Sequence, residues 1–489
     1  MTRPATLLLL PLVLTASCGD HTASTTSGGA ADPGVCSITA PTPPDTRLRA
    51  DGTRLRDALG RVVVLRGVNA GGRAKFAPFA PFDYPAGGYD AALAAYLDRA
   101  ASWGLDALRV PFTWAAVEPA QGADDAAFLA RYDALLDAAW ARGMFTVVDF
   151  HQDVYAEVFC GDGFPAWTVP DPKPAPHHDC PKWSAEYFTD AGVNAAFDAF
   201  WADGSPVQAA YGKLWDRLAK RYGDRPGVIG FELFNEPGWG TQNLDTFEAT
   251  TLTTFYSVMA ARLRTAAPRT LVFFDATGPD AGIVHTSLGR PAGDGLVFAP
   301  HYYQLGALGG TSGNADKVRL DLQGWQSYAN QWKVPALLGE FGIENAAAHT
   351  AAYLTAHFDA LDALGMSGTQ WEYSVSKDVW NAEELGLVRA DGTDEPTVQA
   401  LVRAYPRAVA GDAITFAYDA ATRGLTLGYA PDAAAGGAGV TEVSAPARLY
   451  PKGYDVKVTG GCADASQAGR LLVRANPGAA KVEVTVTAR

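Results

Sequence analysis

The chain is poor in cysteine and in basic residues for its length of 489. No two of its five cysteines are spaced as a CxxC pair, and His177 and His178 lie in irregular sequence, so a zinc site is not expected. Its 39 Lys and Arg are outnumbered by 53 Asp and Glu, which gives a formal net charge of −14. This balance argues against nucleic acid and against anionic lipid headgroups as electrostatic partners.

Long hydrophobic runs are missing as well. The apolar run at residues 7–14, which follows Arg3, is too short to span a bilayer and is typical of a cleaved export signal over residues 1–17. Cys18 follows two small residues and resembles the lipidated cysteine of a bacterial lipoprotein signal. Thr15 stands where that pattern prefers Leu, so secretion without an anchor stays open. We expect a secreted or extracytoplasmic protein, either free or lipid-anchored at the cell surface through Cys18.

The stretch that follows, residues 18–44, is rich in Ser, Thr, Gly and Ala in its first half and predicts a flexible tether. Without Cys18, four cysteines remain, an even number that suits disulfides in an oxidising compartment. Cys160 and Cys180 flank a loop rich in Pro and Gly, and we predict that they pair. Cys36 and Cys462 would then join the start of the mature chain to its end.

Eight short apolar runs alternate with amphipathic helical stretches from about residue 60 to 375. They are "RVVVLRGVN", "LDALRVPF", "FTVVDFHQD", "VIGFELFNEP", "LVFFDAT", "LVFAPHYY", "ALLGEFG" and "SGTQWEY". Continuous apolar runs of this kind are typical of parallel strands that are buried on both faces. The pattern predicts an α/β fold, a (β/α)₈ TIM barrel over residues 45–408. A doubly wound open sheet is the alternative, but no Gly-rich phosphate loop follows the first run.

The pattern changes after residue 405. Short alternating runs, separated by Gly, Pro, Asp and Asn, are "AITFAYDA", "RGLTLGYA", "ARLYP", "DVKVT", "RLLVRA" and "KVEVTVT". This spacing predicts a small antiparallel β-sandwich over residues 409–489.

Polar and aromatic residues stand where the predicted barrel strands end. Because the carboxyl ends of barrel strands form the active-site face, we expect these side chains to converge on one mouth. They are Arg109, His151, Asp153, Asn235, Glu236, His301, Tyr303, Glu340 and Trp371. Glu236 and Glu340 are the two acids of this set, and we expect the other seven to bind the substrate. Lys75, which follows the first strand, either reaches a sugar hydroxyl or is solvated.

Two carboxylates that face each other across such a mouth suit glycoside hydrolysis. We assign Glu236 as the acid/base and Glu340 as the nucleophile, with Arg109 keeping Glu340 ionised. Asn235 would hold a ring hydroxyl. Glu232, in the middle of the predicted strand, is interpreted as a structural residue.

The motifs "FNEP" and "LGEFG" resemble the acid/base and nucleophile signatures of glycoside hydrolase family 5. Arg109, the His of "DFHQD", the His and Tyr of "HYY" and the Trp of "QWEY" match the rest of that family's active-site set in order. The stretches "DFHQDVY", "FCGDGFPAW" and "ARLYPKGYDVKVTGG" resemble the endoglycoceramidase branch. The resemblance implies a retaining endo-β-glycosidase that releases the oligosaccharide of glycosphingolipids from ceramide, without a metal or organic cofactor, and we expect a monomer.

Two other functions stay open. One is the same chemistry on a polysaccharide such as a β-glucan or mannan, and the other is a non-catalytic carbohydrate-binding protein. The apolar stretch "FAPFAPFDYP" at residues 76–85, together with Phe164 and Trp167, either forms a slot for a lipid aglycone or packs on itself.

Overall fold

The computed structural model describes residues 34–173, 183–375, 383–432 and 439–489. The predicted signal segment, Cys18, most of the predicted tether, His177, His178 and Cys180 lie outside these residues. The lipid anchor and the pairing of Cys160 with Cys180 therefore stay predictions.

Eight parallel strands form a barrel, as the alternating pattern predicts. In chain order they are Arg66–Asn69, Ala107–Phe112, Phe145–Phe150, Val228–Glu232, Leu271–Phe274, Leu296–Phe298, Leu337–Leu338 and Ser367–Gln370, called barrel strands 1 to 8 below. A parallel bridge between Phe298 and Ala336 closes the barrel between strands 6 and 7. Beyond it, the short strands His301–Tyr302 and Glu340–Phe341 pair at the carboxyl end.

Amphipathic helices surround the barrel. The longer ones are Tyr89–Ser102, Ala126–Trp140, Ala191–Trp201, Pro206–Tyr222, Thr253–Ala266, Ala315–Trp332 and Thr350–Leu364. Short helices span Trp114–Val117, Glu186–Thr189, Leu244–Thr246, Gly278–Ile283, Leu305–Leu308 and Val398–Leu401, and a π-helical turn spans Phe247–Leu252. 3₁₀ turns span Gly72–Lys75, Glu157–Phe159, Ala166–Thr168 and Trp183–Ala185. At one helix start, the Asp125 side chain accepts hydrogen bonds from the backbone N–H groups of Ala127 and Phe128.

The barrel interior is apolar at the amino end and polar at the carboxyl end. Side chains on a strand alternate between its two faces, so Ala107 and Arg109 lie on the same face of strand 2. Ala107, Val147 and Ile229 belong to an apolar cluster that also contains Leu48 and Leu55 from the segment before the barrel. The N-terminal segment thus packs on the amino end of the barrel, and the polar end stays free for the site.

The C-terminal domain consists of two antiparallel sheets. One has the strands Gly411–Asp419, Gly424–Pro431, Tyr454–Thr459 and Val482–Ala488. The other has Tyr405–Val409, Val440–Ala445, Gly461–Asp464 and Gly469–Ala475, extended by the N-terminal strands Arg49–Asp51, Arg54–Arg56 and Val62–Val63. The run "ARLYP" is a turn and not a strand.

The boundary at residue 45 differs from the sequence interpretation, because residues 49–63 pair with the C-terminal sheet through Val62 and Val63. The sequence could not reveal this pairing, because strands that are far apart in the chain pair without any local sequence pattern. A disulfide joins Cys36 to Cys462 across a sequence separation of 426. In the described part of the chain, no helix combines the length and the apolar character needed to cross a membrane.

Candidate active site

A cavity of about 500 Å³ opens at the carboxyl end of the barrel. Its wall combines a set of polar and aromatic residues with a set of apolar ones. The first set comprises Lys75, His151, Asp153, Trp183, Asn235, Glu236, Tyr303, Glu340, Trp371 and Glu383, and the second comprises Phe188, Pro279, Ala281, Ile283, Leu305, Leu308 and Leu385. Such a wall suits an amphiphilic molecule with a sugar part and a hydrocarbon part.

Glu340 accepts hydrogen bonds from two buried neighbours. Arg109 donates from Nη1 to Oε1 at 2.7 Å, and the Tyr303 hydroxyl donates to Oε2 at 2.9 Å. Both donors stabilise an anionic carboxylate, which is the form that a nucleophile needs.

Glu236 lies just beyond barrel strand 4 with φ of 40°, in the left-handed region. Gln152 Nε2 lies 2.9 Å from the carbonyl oxygens of both Asn235 and Glu236, which holds this turn in place. The Glu236 carboxyl oxygen Oε1 is 2.8 Å from His301 Nδ1. Burial, together with the negative charge of Asp153, raises the pKa of Glu236 to about 7, which suits a general acid at neutral pH.

The two carboxyl groups lie close together. One carboxylate oxygen of Glu236, one of Glu340 and a ring nitrogen of His301 all lie within 4.8 Å of one another. Retaining glycosidases place their two carboxyl groups about 5–5.5 Å apart, whereas inverting enzymes need a wider gap for a water molecule. The geometry therefore matches the retaining arrangement.

Arg109 is not a substrate-contacting residue, contrary to our interpretation. Its strand continues to Phe112, so the guanidinium lies inside the barrel with no exposed side-chain surface. All five N–H groups have protein acceptors, which are Glu232 (two bonds), Asn69, Asn235 and Glu340. Arg109 therefore positions Glu340 and Asn235 from behind. Glu232, bonded twice to this guanidinium, is a structural residue as predicted.

His301 also lies behind the cavity wall, with Glu236 in front of it, so the predicted direct contact between His301 and substrate is replaced by a contact with Glu236. Burial lowers the pKa of His301 to about 4, which keeps the ring neutral. Tyr303, predicted alongside it, does reach the cavity and bonds Glu340.

Lys75 lines the cavity and is not a solvated loop lysine, while its contact with a sugar hydroxyl stays a prediction. It is buried, and its Nζ lies 2.5 Å from Asp153 Oδ2 and 3.4 Å from Glu383 Oε1. Burial opposes the charge of Lys75, but Asp153, Glu383 and Asp162 raise its pKa well above the usual value. Lys75 and Asp153 thus form a charged pair on the cavity wall, where both can reach a hydroxyl group.

Trp371 and His151 stack with ring centroids 5.1 Å apart. Lys75 Nζ lies 5.0 Å from the Trp371 ring centroid. His151 donates through Nδ1 to Asp149 Oδ2 at 2.8 Å, and although burial opposes it, this carboxylate raises the pKa of His151 to about 10. The site thus has a flat aromatic surface beside charged hydrogen-bonding groups, as sugar recognition requires.

Three residues of the site were missed from the sequence. Glu383 accepts a hydrogen bond from Trp371 Nε1 at 2.8 Å, and Trp183 lines the cavity near Lys75. Both lie in loops without a motif. Asp275 lies 3.4 Å from His301 Nε2. Because it directly follows barrel strand 5, a search for polar residues at the carboxyl ends of the strands would have found it.

The sequence left open whether the aromatics of residues 76–85, Phe164 and Trp167 form a lipid slot or pack on each other, and the structure shows that they pack. Phe164 is buried and stacks on Tyr155, and Trp167 packs against Trp114. Phe79 and Phe82, from the stretch at residues 76–85, pack on Phe128 and Tyr96. These aromatics pack among themselves, because the helices around the barrel offer them a buried position. Most apolar residues of the cavity come from the loops after strands 5 and 6 instead, joined by Phe188 from the segment after strand 3 and Leu385 from the segment after strand 8.

Two groups among the described residues have the donor types of a metal site, and both contain His301. They are Glu236, His301 and Glu340, and Glu232, Asp275 and His301. Glu340 already accepts from a guanidinium and a hydroxyl, and Glu232 accepts twice from the same guanidinium. A cation would have to compete with Arg109 at both places, so the groups are better described as a hydrogen-bonded network.

The comparison with known proteins agrees with the geometry. Residues 71–377 match the family described as cellulase (glycosyl hydrolase family 5), and residues 403–487 match the glycoside hydrolase family 5 C-terminal domain. Endoglycoceramidase I of Rhodococcus hoagii is 27% identical over 469 residues, which cover 91% of this chain and 89% of that protein.

Solved structures are similar over nearly the whole chain. Endo-glycoceramidase II from Rhodococcus sp. in its ganglioside GM3 complex is 28% identical with a TM-score of 0.75, covering 90% of this chain and 100% of its own. The lactosyl-enzyme intermediate of the same enzyme is 28% identical with a TM-score of 0.74, covering 89% of this chain and 99% of its own. The protein therefore belongs to glycosyl hydrolase family 5 and is a glycoside hydrolase.

Proposed function

We propose that the protein is a retaining endo-β-glycosidase that hydrolyses the bond between the oligosaccharide and the ceramide of glycosphingolipids. One observation carries the proposal: the two carboxyl groups, at a separation that suits retention, lie in a cavity lined by both polar and apolar residues. Such a cavity would place the scissile bond between the sugar and the lipid.

In the first step, Glu340 Oε attacks the anomeric carbon and forms a glycosyl ester. The bond from that carbon to the ceramide oxygen breaks, and Glu236 transfers its proton to this oxygen, so the lipid leaves as a neutral alcohol. Glu236 is suited to this role because burial keeps its pKa near 7.

In the second step, the Glu236 carboxylate takes a proton from water, and the resulting hydroxide attacks the anomeric carbon. The ester bond breaks, Glu340 is released as a carboxylate, and the sugar leaves with its original configuration. Asn235 supports both steps, because Arg109 and the Gln152 carbonyl fix its amide while its second Nδ2 hydrogen remains for a ring hydroxyl.

The lipid preference is supported by the exposed apolar side chains at the cavity. Ile283 is 64% exposed and Leu305 is 76% exposed, although both are large aliphatic residues. Exposed apolar surface beside a cavity marks a binding site for an apolar group. The endoglycoceramidase relatives, one of them solved with ganglioside GM3, support the same substrate class.

A substrate panel tests the proposal. The purified protein is incubated with gangliosides, neutral glycosphingolipids, β-glucans and mannans, and the products are identified by mass. We expect free ceramide and intact oligosaccharide from the glycosphingolipids. Activity confined to glucan or mannan would contradict the substrate class, and binding without any product would indicate a non-catalytic protein.

We also propose that the protein is exported and works outside the cytoplasm, secreted or anchored through Cys18. The disulfide between Cys36 and Cys462, which suits an oxidising compartment, supports this location. Cell fractionation of the wild type and of Cys18→Ser tests it. Membrane-bound wild type with released Cys18→Ser supports an anchor, release of both indicates plain secretion, and retention of both in the cytoplasm contradicts export.

A further inference from the structure

Asp275 lies directly behind the acid/base residue without reaching the cavity wall. It is 1% exposed and follows barrel strand 5. Its Oδ1 accepts from the backbone N–H of Ala276 at 2.7 Å. Its Oδ2 accepts from the backbone N–H of Glu236 at 3.4 Å and lies 3.4 Å from His301 Nε2. Asp275, His301 and Glu236 thus lie in a chain that ends at the cavity, and His301 Nε2, the nitrogen beside Asp275, has no hydrogen-bond partner among the described residues.

His301 is the middle member of this chain. Because burial keeps the ring neutral, it carries one N–H, on either Nδ1 or Nε2. These two tautomers differ in the hydrogen bond that they make with Glu236. With the hydrogen on Nδ1, the ring donates to Glu236 Oε1 at 2.8 Å and leaves the carboxyl proton on the other oxygen. With the hydrogen on Nε2, Nδ1 becomes an acceptor, and the Glu236 proton turns toward the ring and away from the leaving oxygen.

The surroundings of Asp275 favour its neutral form. Burial, together with the charges of Glu232 and Glu236, raises the pKa of Asp275 well above the usual value, although Arg109 acts in the opposite direction. The Tyr256 hydroxyl donates to the Asp275 backbone carbonyl at 2.9 Å and so fixes the main chain. A protonated Oδ2 beside His301 Nε2 can donate to it only when that nitrogen carries no hydrogen.

We propose that Asp275 is a positioning residue that donates through Oδ2–H to His301 Nε2 and thereby fixes the tautomer in which Nδ1–H donates to Glu236. Glu236 then keeps its proton directed at the leaving oxygen. The inference rests on the proposed roles of Glu236 and Glu340, and it adds a residue that controls where the catalytic proton points.

The test uses two β-lactosides in the full-length protein. One has a 2,4-dinitrophenyl group, which leaves without protonation, and the other has a simple alkyl group, which needs the acid. In Asp275→Leu we expect kcat/KM for the alkyl lactoside to fall about 10- to 100-fold, since general acid catalysis contributes about 10²–10⁴-fold. The dinitrophenyl lactoside should lose no more than about threefold, because its first step does not use the proton.

Asp275→Asn is the conservative variant. Its amide can accept from the Ala276 N–H and donate to His301 Nε2, so it should retain both activities within about threefold. Tyr256→Phe is the matched control, because it loosens the same main chain without altering the side-chain donor. A loss in Asp275→Asn greater than about tenfold on the alkyl lactoside would overturn the proposal, even if Asp275→Leu fails to fold. An equal loss of both substrates in a folded Asp275→Leu would also overturn it.

Glu236→Ala separates this inference from the proposed function. If Glu236→Ala loses only the alkyl lactoside while folded Asp275→Leu retains it, then the acid role of Glu236 stands and the inference fails. If Glu236→Ala loses both substrates equally, the acid role itself fails, and the inference falls with it.

Discussion

At the scale of single residues, two glutamates in one cavity take opposite roles because their neighbours differ. Glu340 faces a guanidinium and a hydroxyl donor, which favour its anion. Glu236 faces a neutral histidine, and its burial beside Asp153 favours its protonated form. In the proposed mechanism, the same side chain therefore serves as a nucleophile at one position and as an acid at the other.

Replacing Glu340 with Gln should lower kcat by about 10³-fold or more, because an amide cannot form the glycosyl ester. Folding should persist, since the amide oxygen can still accept from Arg109. Steady-state kinetics and circular dichroism measure both effects. Glu344→Gln, at another position on the cavity wall, is the control and should keep its activity. Turnover of Glu340→Gln near the wild-type rate would disprove the nucleophile role.

Activity should fall as the pH rises through about 7, because Glu236 must hold a proton in the first step. The negative charge of Asp153 raises the pKa of Glu236. Asp153→Asn removes this charge, so the fall in activity should occur at a lower pH. The profile of kcat/KM against pH measures the shift, and Glu384→Gln serves as an exposed control. A fall in kcat/KM that occurs at the same pH as in the wild type, or at a higher pH, would contradict the assigned electrostatics.

Sequence reasoning identified most of the residues at the cavity, because residues at the carboxyl ends of barrel strands lie at the barrel mouth. It could not separate residues that contact substrate from those that support them. Arg109 and His301 lie behind the cavity wall and support residues that line it. How deep a side chain lies below the barrel mouth depends on how far its strand continues beyond it. Glu383 was missed because a loop glutamate carries no periodic signal.

At the scale of elements, most polar and most apolar residues of the cavity come from different loops. The loops after strands 1, 3 and 8 supply Lys75, Asp153 and Glu383, and those after strands 5 and 6 supply Ile283 and Leu305. The barrel can therefore hold a fixed catalytic centre while separate loops determine what binds on each side.

The double substitution Ile283→Ser with Leu305→Ser should weaken binding of the lipid without affecting the chemistry. Each large aliphatic side chain contributes about 1.5–3 kcal/mol when fully buried, so we expect KM for a lipid substrate to rise about 10-fold or more. The kinetics of an aryl lactoside, which lacks the hydrocarbon chains, should stay within about twofold. An equal effect on both substrates would place the lipid elsewhere.

Most of the barrel strands were predictable because they lie in continuous apolar runs, although the eighth, Ser367–Gln370, is itself polar. The strands at Val440–Ala445 and Gly461–Asp464 were not predicted, because they are short and lie among Gly and Ala. For a related reason, the sequence left open whether the aromatics of residues 76–85, Phe164 and Trp167 line the cavity or are buried. Composition shows that a stretch is apolar, but only tertiary packing decides whether it is buried.

At the scale of the whole molecule, the barrel and the sheets are joined at several points. Asp362 binds Arg66 of barrel strand 1 at 2.8 Å and Arg403 of the following segment at 2.6 Å. The disulfide connects the described N-terminal segment to the sheet strand Gly461–Asp464. No residue that the structure describes in the C-terminal domain lines the cavity.

Removing the disulfide in Cys36→Ser with Cys462→Ser should lower the free energy of unfolding by about 2–4 kcal/mol, because the cross-link restricts the unfolded chain. Neither cysteine lines the cavity, so kcat/KM should be unchanged. Denaturant unfolding under oxidising conditions measures the first effect. Unchanged stability would show that the other contacts suffice to hold the N-terminal segment.

The most direct test of the central claim follows the hydrolysis of lactosylceramide by proton NMR and mass spectrometry. The close pair of carboxyl groups predicts that β-lactose is the first sugar released, together with intact ceramide, before mutarotation produces the α anomer. Release of α-lactose first would contradict the retaining mechanism. Release of galactose instead of lactose would contradict cleavage at the ceramide bond.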